Sequence, residues 1–193
     1  MQYDVLVVGA GVVGCATAME LGKYSLRAAV IEAGEDVCTG TSKANSAIVH
    51  AGFDARPGSL MARFNVEGSH AMPKLCERLQ ILFRRCGALV LCFNEADRPG
   101  LEELLLRGVK NGVHGLRIVE REELHELEPN VSSEAVAALY APTSGIVCPF
   151  ELTCAMAENA VRNGVELHRS CPVTHIEKTA GGWALTTPSG IVE

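Results

Sequence analysis

A glycine-rich turn between an apolar strand and a helix constrains the fold of this chain more than any other feature of its sequence. Tyr3–Val8 is an apolar, β-branched run, and a G-x-G-x-x-G motif follows it at residues 9–14. Apolar residues at helical spacing then extend to Leu21, and a second short apolar run ends at Glu32. This order predicts a βαβ unit with parallel strands and a right-handed crossover.

The motif gives each of its glycines a different task. Gly9 allows the tight turn, Gly11 allows a pyrophosphate to approach the backbone, and Gly14 allows the helix to pack closely on the strand. The helix N-terminus adds free N–H groups and a partial positive charge of roughly half a unit. Glu32 is placed to accept hydrogen bonds from a ribose diol, and its carboxylate would repel the 2′-phosphate of NADP. The sequence therefore predicts a Rossmann-type dinucleotide site.

The segment after the second strand bears on which dinucleotide is bound. Residues 41–52 form a dense polar stretch that ends in His50-Ala51-Gly52. Such a loop can offer hydroxyl, amide and backbone donors to a pyrophosphate and to the polar edge of a flavin ring, which favours FAD. A solvent-exposed surface loop and an NAD-linked enzyme are the alternative interpretations.

Composition excludes several classes of protein. The chain has 17 basic and 23 acidic residues, a formal charge of −6, and no basic block, so nucleic acid is not an expected partner. The uncharged run Val5–Met19 is too short to span a membrane and lacks the cationic start of a signal peptide. Eight cysteines without a C-x-x-C pair are expected to be reduced thiols rather than metal ligands. A cytoplasmic protein is therefore expected.

The middle of the chain departs from the βαβ pattern. Ser59 is expected to cap a helix that kinks or breaks at Pro73, and two apolar runs around Cys86-Gly87 predict a hairpin. We expect residues 1–78 and 141–193 to form an incomplete nucleotide-binding domain and residues 79–140 to be part of a substrate or cap domain.

Several stretches together resemble the D-amino-acid-oxidase/glycine-oxidase (DAO) superfamily. They are the N-terminal glycine motif, the T-S-x-x-N-S-x-x-x-H-A-G stretch at 41–52, the D-A-R-P-G-S-L stretch at 54–60, and the segments 145–153 and 158–165. Within that superfamily the chain is most similar to anaerobic-type FAD-dependent glycerol-3-phosphate dehydrogenases and to L-2-hydroxyglutarate dehydrogenases. Members are roughly twice as long, so this chain is expected to be an N-terminal portion.

The resemblance implies an α/β fold, with a glutathione-reductase-2-like Rossmann-type FAD domain and part of an inserted α+β substrate domain. It also implies the residues that hold FAD. These are Gly9, Ala10, Gly11, Val13 and Gly14 in the turn, Glu32 and Ala33 after the second strand, Thr41, Ser42, Asn45 and Ser46 near the pyrophosphate and flavin, and Val173 at the adenine. Glycine is common in the family where Ala47 stands.

The resemblance implies oxidation of a small anionic hydroxy compound, with sn-glycerol 3-phosphate as first choice and dihydroxyacetone phosphate as product. L-2-hydroxyglutarate is the alternative substrate, and a non-catalytic flavin-binding or nucleotide-binding module is an alternative of another class. His50 would lie close to the flavin, as a residue that orients substrate or stabilises charge, or would be a structural histidine. Arg56 would meet the substrate anion or be a solvated loop residue. Expected partners are an electron acceptor at the inner face of the membrane or an iron–sulfur protein, and an oligomer stays open.

Overall fold

The predicted βαβ unit is present at the start of the chain. Strand β1 (Val5–Val8) leads into helix α1 (Val12–Leu21), and the chain returns as strand β2 (Ala28–Ile31). β1 and β2 pair in parallel, with Val5 opposite Ala28 and Val8 opposite Ile31. The helix begins directly after the glycine turn and ends at Gly22, as the apolar spacing predicts. This part of the α/β prediction is confirmed.

This computed structural model describes residues 2–192. The other helices are α2 (Leu60–Leu79), α3 (Arg98–Lys110), α4 (Arg121–Leu127) and α5 (Pro149–Arg162). The other strands are β3 (Ile48–Val49), β4 (Phe83–Arg84), β5 (Ala88–Cys92), β6 (Arg117–Glu120), β7 (Ala137–Ala141), β8 (Gly145–Val147), β9 (Glu166–His168), β10 (His175–Lys178), β11 (Trp183–Thr187) and β12 (Gly190–Val192).

The chain divides into two compact units. The first contains the residues up to Ser46, Leu79–Ile81, and those from Cys148 onwards; the second contains Ala47–Arg78 and Leu82–Val147. Packing thus groups residues 47–78 with the middle of the chain. The assignment of residues 1–78 and 141–193 to cofactor binding and of 79–140 to substrate binding concerns function and stays a prediction.

The first unit is built on a parallel sheet in the order β1-β2-β9. α1 and α5 pack against each other, with Cys15 and Ala18 of α1 and Ala160 of α5 buried. Among the described residues β1 has a neighbouring strand only on its β2 side, and Val8 at its end is 52% exposed. A separate antiparallel meander, β10-β11-β12, completes this unit.

The second unit contains two antiparallel sheets, in the orders β3-β8-β4 and β5-β7-β6. The predicted hairpin at Cys86-Gly87 is wrong, because β4 and β5 lie in different sheets. β4 pairs with β8 and β5 pairs with β7. Gly87 has a φ of +75° and its N–H donates to Ser144 O at 3.0 Å, so both chain segments bend together there. Each apolar run therefore pairs with a strand of the segment 137–147 and not with the other run.

Helix α2 continues through Pro73, so of the two outcomes predicted there the break is wrong, while a kink stays a prediction. Proline removes an N–H and leaves the carbonyl four residues earlier without its helical donor. That carbonyl belongs to Ser69, and the guanidinium of Arg85 donates to it at 3.1 Å (Nη2 to O). Arg85 also bonds Thr143 O, which accepts from Ser69 Oγ at 3.0 Å as well. A side chain from outside the helix therefore replaces the bond that Pro73 removes.

Within residues 2–192, no helix combines the length and the apolar content that crossing a bilayer requires.

We expect Arg85→Ala to lower the free energy of unfolding by about 1 kcal/mol, because Ser69 is buried and its carbonyl would lose its donor. In a Pro73→Ala background the new amide can donate to Ser69 O, so the cost of Arg85→Ala should become smaller. Urea unfolding of the four proteins measures this coupling. Arg84→Ala, at the exposed neighbour, is the control and should change little. Equal costs of Arg85→Ala in both backgrounds would contradict the explanation.

Candidate dinucleotide-binding site

The glycine turn joins β1 to α1 with almost no space to spare. Gly9 has a φ of +98°, a conformation that L side chains rarely adopt, and its N–H donates to Ile31 O at 2.8 Å. A Cβ added at Gly14 would overlap the carbonyl oxygen of Gly9 and lie 3.4 Å from Val7 Cγ1. The helix can therefore approach the strand this closely only because residue 14 has no side chain.

Both sides of the Ala10 peptide unit are held by hydrogen bonds. Its N–H donates to Glu32 Oε2 at 2.6 Å, and its carbonyl accepts from Cys38 N at 3.0 Å and from Cys15 Sγ at 3.4 Å. Burial raises the pKa of the Cys15 thiol to about 11, so the thiol keeps its proton near neutral pH and can donate. These bonds fix the position of the Ala10 peptide unit within the turn.

Glu32 is fixed at the end of β2 by its side chain and by its backbone. Carboxylate Oε1 accepts from Gly34 N at 2.6 Å, so each oxygen accepts one amide. Its own N–H donates to His168 O at 2.8 Å, and its carbonyl accepts from Cys171 N at 2.9 Å. A carboxylate has about four lone-pair sites, so both oxygens can still accept from a ribose diol.

The N-terminus of α1 is open to an anion. Val12 N–H donates to Ser42 Oγ at 2.9 Å, while the other amides of the first turn have no acceptor one turn earlier in the helix. The first turn carries no acidic side chain, and Val13 is 76% exposed. The Ser42 hydroxyl, which accepts from Val12, still has its own proton to donate. Amides, the helix dipole and this hydroxyl together suit a phosphate.

Ser42 belongs to a short 3-10 helix, Thr41–Lys43, whose shape is fixed locally. The side-chain amide of Asn45 donates to Ser42 O at 2.8 Å. Thr41, Asn45 and Ser46 are exposed on this loop. The structure thus brings Ser42 to the helix N-terminus, with Asn45 supporting it.

The other residues predicted to bind the cofactor or substrate are Ala33, Val173 and His50. Ala33 is exposed directly after Glu32, and Val173 is half-buried two residues after Cys171, whose amide bonds Glu32. His50 belongs to the second unit, where it follows β3 and is exposed.

The sequence analysis missed two residues that bond the turn, Cys15 and Cys38. Cys38 has a φ of 59°, unusual for a residue with a side chain, and its amide bonds Ala10 O. Its neighbours in sequence give no sign of this conformation. Cys15 follows Gly14 directly, and a small polar residue at the first buried position of the helix was the available signal.

The pattern of residues present fits a dinucleotide. A cradle that a Cβ would fill, a helix N-terminus without acidic side chains and a carboxylate held beside the turn are what a diphosphate and its ribose require. The adenosines of NAD and FAD both lack a 2′-phosphate and suit Glu32 equally. This geometry alone therefore fits a dinucleotide and does not distinguish NAD from FAD.

Comparison with known proteins identifies the kind of dinucleotide protein. The pattern of the family DAO, described as FAD dependent oxidoreductase, matches residues 4–193. The chain is 46% identical to the glycerol 3-phosphate dehydrogenase of Caloramator mitchellensis over 96% of its own length and 39% of that protein. It is 30% identical to the mitochondrial L-2-hydroxyglutarate dehydrogenase of Caenorhabditis briggsae, over 91% of the chain and 41% of that protein.

A solved structure agrees with these relatives. The dithionite-reduced L-alpha-glycerophosphate oxidase of Mycoplasma pneumoniae, with FAD bound, superposes with a TM-score of 0.91 at 32% identity. The match covers 100% of this chain and 52% of that one. The chain thus spans about half, or less, of the length of the proteins it matches.

We expect Gly14→Ala to destabilise the chain by about 3 kcal/mol, because its methyl group would overlap Gly9 O and the helix would have to move off the strand. Gly68→Ala is the matched control: Gly68 lies within α2 and a Cβ there meets nothing within 4 Å. That substitution should be neutral or stabilising by up to about 1 kcal/mol. Thermal or urea unfolding of both variants measures the difference, and equal effects would be inconsistent with close strand–helix packing.

Proposed function

This chain belongs to the DAO family of FAD-dependent oxidoreductases, and we propose that it supplies the FAD-binding part of an enzyme that oxidises sn-glycerol 3-phosphate to dihydroxyacetone phosphate. The family, its cofactor and the α/β fold that the sequence predicted are confirmed. The proposal concerns the substrate, the residues in contact with it and the partner that accepts the electrons.

One observation supports the residues that we propose to hold the cofactor. Glu32 is held by the amides of Ala10 and Gly34, one to each oxygen, and so stands directly beside the open N-terminus of α1. In this arrangement the carboxylate would accept from the ribose of the ADP half of FAD, and the amides of the first turn and the Ser42 hydroxyl would donate to its pyrophosphate. Gly11 keeps the backbone accessible there.

The substrate is proposed from the relatives. The relative with 46% identity is a glycerol 3-phosphate dehydrogenase, and the superposed structure is a glycerophosphate oxidase. The chemistry that FAD supplies when bound is acceptance of a hydride from the carbinol carbon. Removal of the hydroxyl proton needs a base, and an imidazole can accept such a proton or donate a hydrogen bond to the oxygen. We propose that His50, exposed after β3, donates such a hydrogen bond and so orients the substrate or stabilises charge.

The partner and the location follow the same proposal. All eight cysteines are free, which supports a reducing compartment such as the cytoplasm. We propose that the electrons leave to an acceptor at the inner face of the membrane or to an iron–sulfur protein.

The absorbance spectrum of the intact protein that contains this sequence tests the proposed reaction. We expect flavin bands in the purified protein and their bleaching when glycerol 3-phosphate is added without oxygen. The control is glycerol, which lacks the anion and should leave the bands unchanged. L-2-hydroxyglutarate is the second substrate to add, because a relative of 30% identity is a dehydrogenase of that compound.

The outcomes of this test separate the alternatives. Bleaching by L-2-hydroxyglutarate but not by glycerol 3-phosphate would replace the proposed substrate. Flavin bands that neither compound bleaches would favour a non-catalytic flavin-binding module. A protein that binds no flavin would contradict the cofactor assignment itself.

We expect Glu32→Gln to weaken FAD binding by a factor of roughly 10 to 100, since hydrogen bonds to a charged group are worth about 1.5–3 kcal/mol and the amide's own protons would face the N–H of Ala10 or Gly34. Glu35→Gln, three residues later and exposed, removes the same charge without these contacts and should change affinity little. Quenching of flavin fluorescence in a titration measures both. Equal affinity of the two variants would show that Glu32 does not hold the ribose.

A further inference from the structure

The segment Ala51–Ala55 of the second unit packs against helices α2 and α3. Ala51 and Ala55 are 2% and 4% exposed. Gly52 has a φ of +99°, and a Cβ there would lie 2.9 Å from Val66 Cγ2 of α2. The backbone of this segment therefore rests directly on α2, at a glycine whose conformation a side chain would strain.

The other side of the segment faces the last turn of α3. A Cβ at Gly108 would come within 2.8 Å of Phe53 Cβ, so this helix also meets the segment at a glycine. Asn111, the C-cap of α3, donates from Nδ2 to Gly52 O at 2.9 Å and to Ala55 O at 2.8 Å. Arg107 Nη1 donates to Asp54 O at 3.1 Å. Two side chains of one helix end therefore bind three carbonyls of the segment.

These two side chains are themselves fixed. The backbone N–H of Asn111 donates to Arg107 O at 3.0 Å, and the guanidinium of Arg107 also pairs with Glu103 one turn earlier. Both protons of the Asn111 amide nitrogen go to the segment, and its Oδ1 is buried without a partner among the described residues. The amide of Asn111 therefore acts on the segment alone and is not part of a wider network.

The two ends of the clamped segment carry exposed polar side chains. His50 precedes Ala51 and Arg56 follows Ala55, and both are exposed. The carbonyl of Arg56 accepts from Ser59 Oγ at 2.6 Å and from Ser59 N at 3.1 Å, and Ser59, directly before α2, also accepts from Ala62 N. The segment 51–55, whose carbonyls are bonded by Arg107 and Asn111, thus carries an imidazole and a guanidinium at its two ends.

We propose that Arg107 and Asn111 are positioning residues that hold the 51–55 segment so that His50 and Arg56 meet an anionic hydroxy substrate. This inference rests on the proposed function for the identity of the substrate. Rigid placement matters because a displacement of about 1 Å from a distant change can cost on the order of 100-fold in rate. Neither positioning residue needs to touch the substrate.

The test combines amide hydrogen exchange with kinetics in the intact protein. In Asn111→Leu we expect exchange of the amides of residues 51–56 to accelerate at least tenfold and kcat for glycerol 3-phosphate to fall at least tenfold, with bound FAD per chain unchanged. Arg107→Gln should give the same pattern with a smaller effect, and Arg107→Lys should restore part of the rate because its ammonium can still donate to Asp54 O.

Asn163→Leu is the matched control. Asn163 is also a helix C-cap followed by glycine, but its Nδ2 donates only to Asn159 of its own helix, so exchange at 51–56 and kcat should stay at the wild-type values. Unchanged exchange at 51–56 in Asn111→Leu and Arg107→Gln would contradict the claim that these two side chains hold the segment in place. Faster exchange with unchanged kcat would overturn the positioning role. A wild-type protein inactive on glycerol 3-phosphate would instead overturn the proposed function, while the exchange measurement would still decide whether these side chains hold the segment in place.

Discussion

The hydrogen bonds of the Glu32 carboxylate hold together the glycine turn and the loop after β2, on which the candidate site of the first unit is built. The carboxylate bonds the amide of Ala10 in the glycine turn and the amide of Gly34 in the loop after β2. Through its backbone the same residue bonds the chain near His168 and Cys171. Three stretches of backbone therefore meet at one acid: the glycine turn, the loop after β2 and the segment 168–171. A charged group in such a position is well solvated by amides, which compensates for its partial removal from water.

That arrangement also explains how a binding site can form before any ligand arrives. The turn is held from both sides of the Ala10 peptide, and the lack of a side chain at Gly14 brings the helix onto the strand. Contacts within the protein thus fix the turn next to the helix N-terminus, where Val12 N–H donates to Ser42 Oγ. Preorganisation of this kind lowers the entropy lost on binding.

The sequence predicted local structure well where a short motif decides it. Gly11 and Gly22 cap the two ends of α1, and Pro149 begins α5, because each residue acts on its own backbone. The structure brings Glu32 and Ser42 to the turn, and their contact with FAD stays a prediction. Predictions failed where a distant partner decides the outcome. Pro73 stays helical because Arg85 donates to Ser69 O, and the apolar runs beside Gly87 pair with the segment 137–147.

The residues that hold the site in shape were invisible for the same reason. Cys38 adopts its unusual φ because its amide bonds Ala10 O, and Asn111 bonds carbonyls more than 50 residues earlier. No spacing rule links such pairs. The exposed side of β1 has a different consequence. Among residues 2–192 that strand offers a row of amides and carbonyls along one side, with the half-exposed Val8 at its end. Such an edge is a template for intermolecular strand pairing. Preparations of these 193 residues on their own should therefore become turbid as they are concentrated.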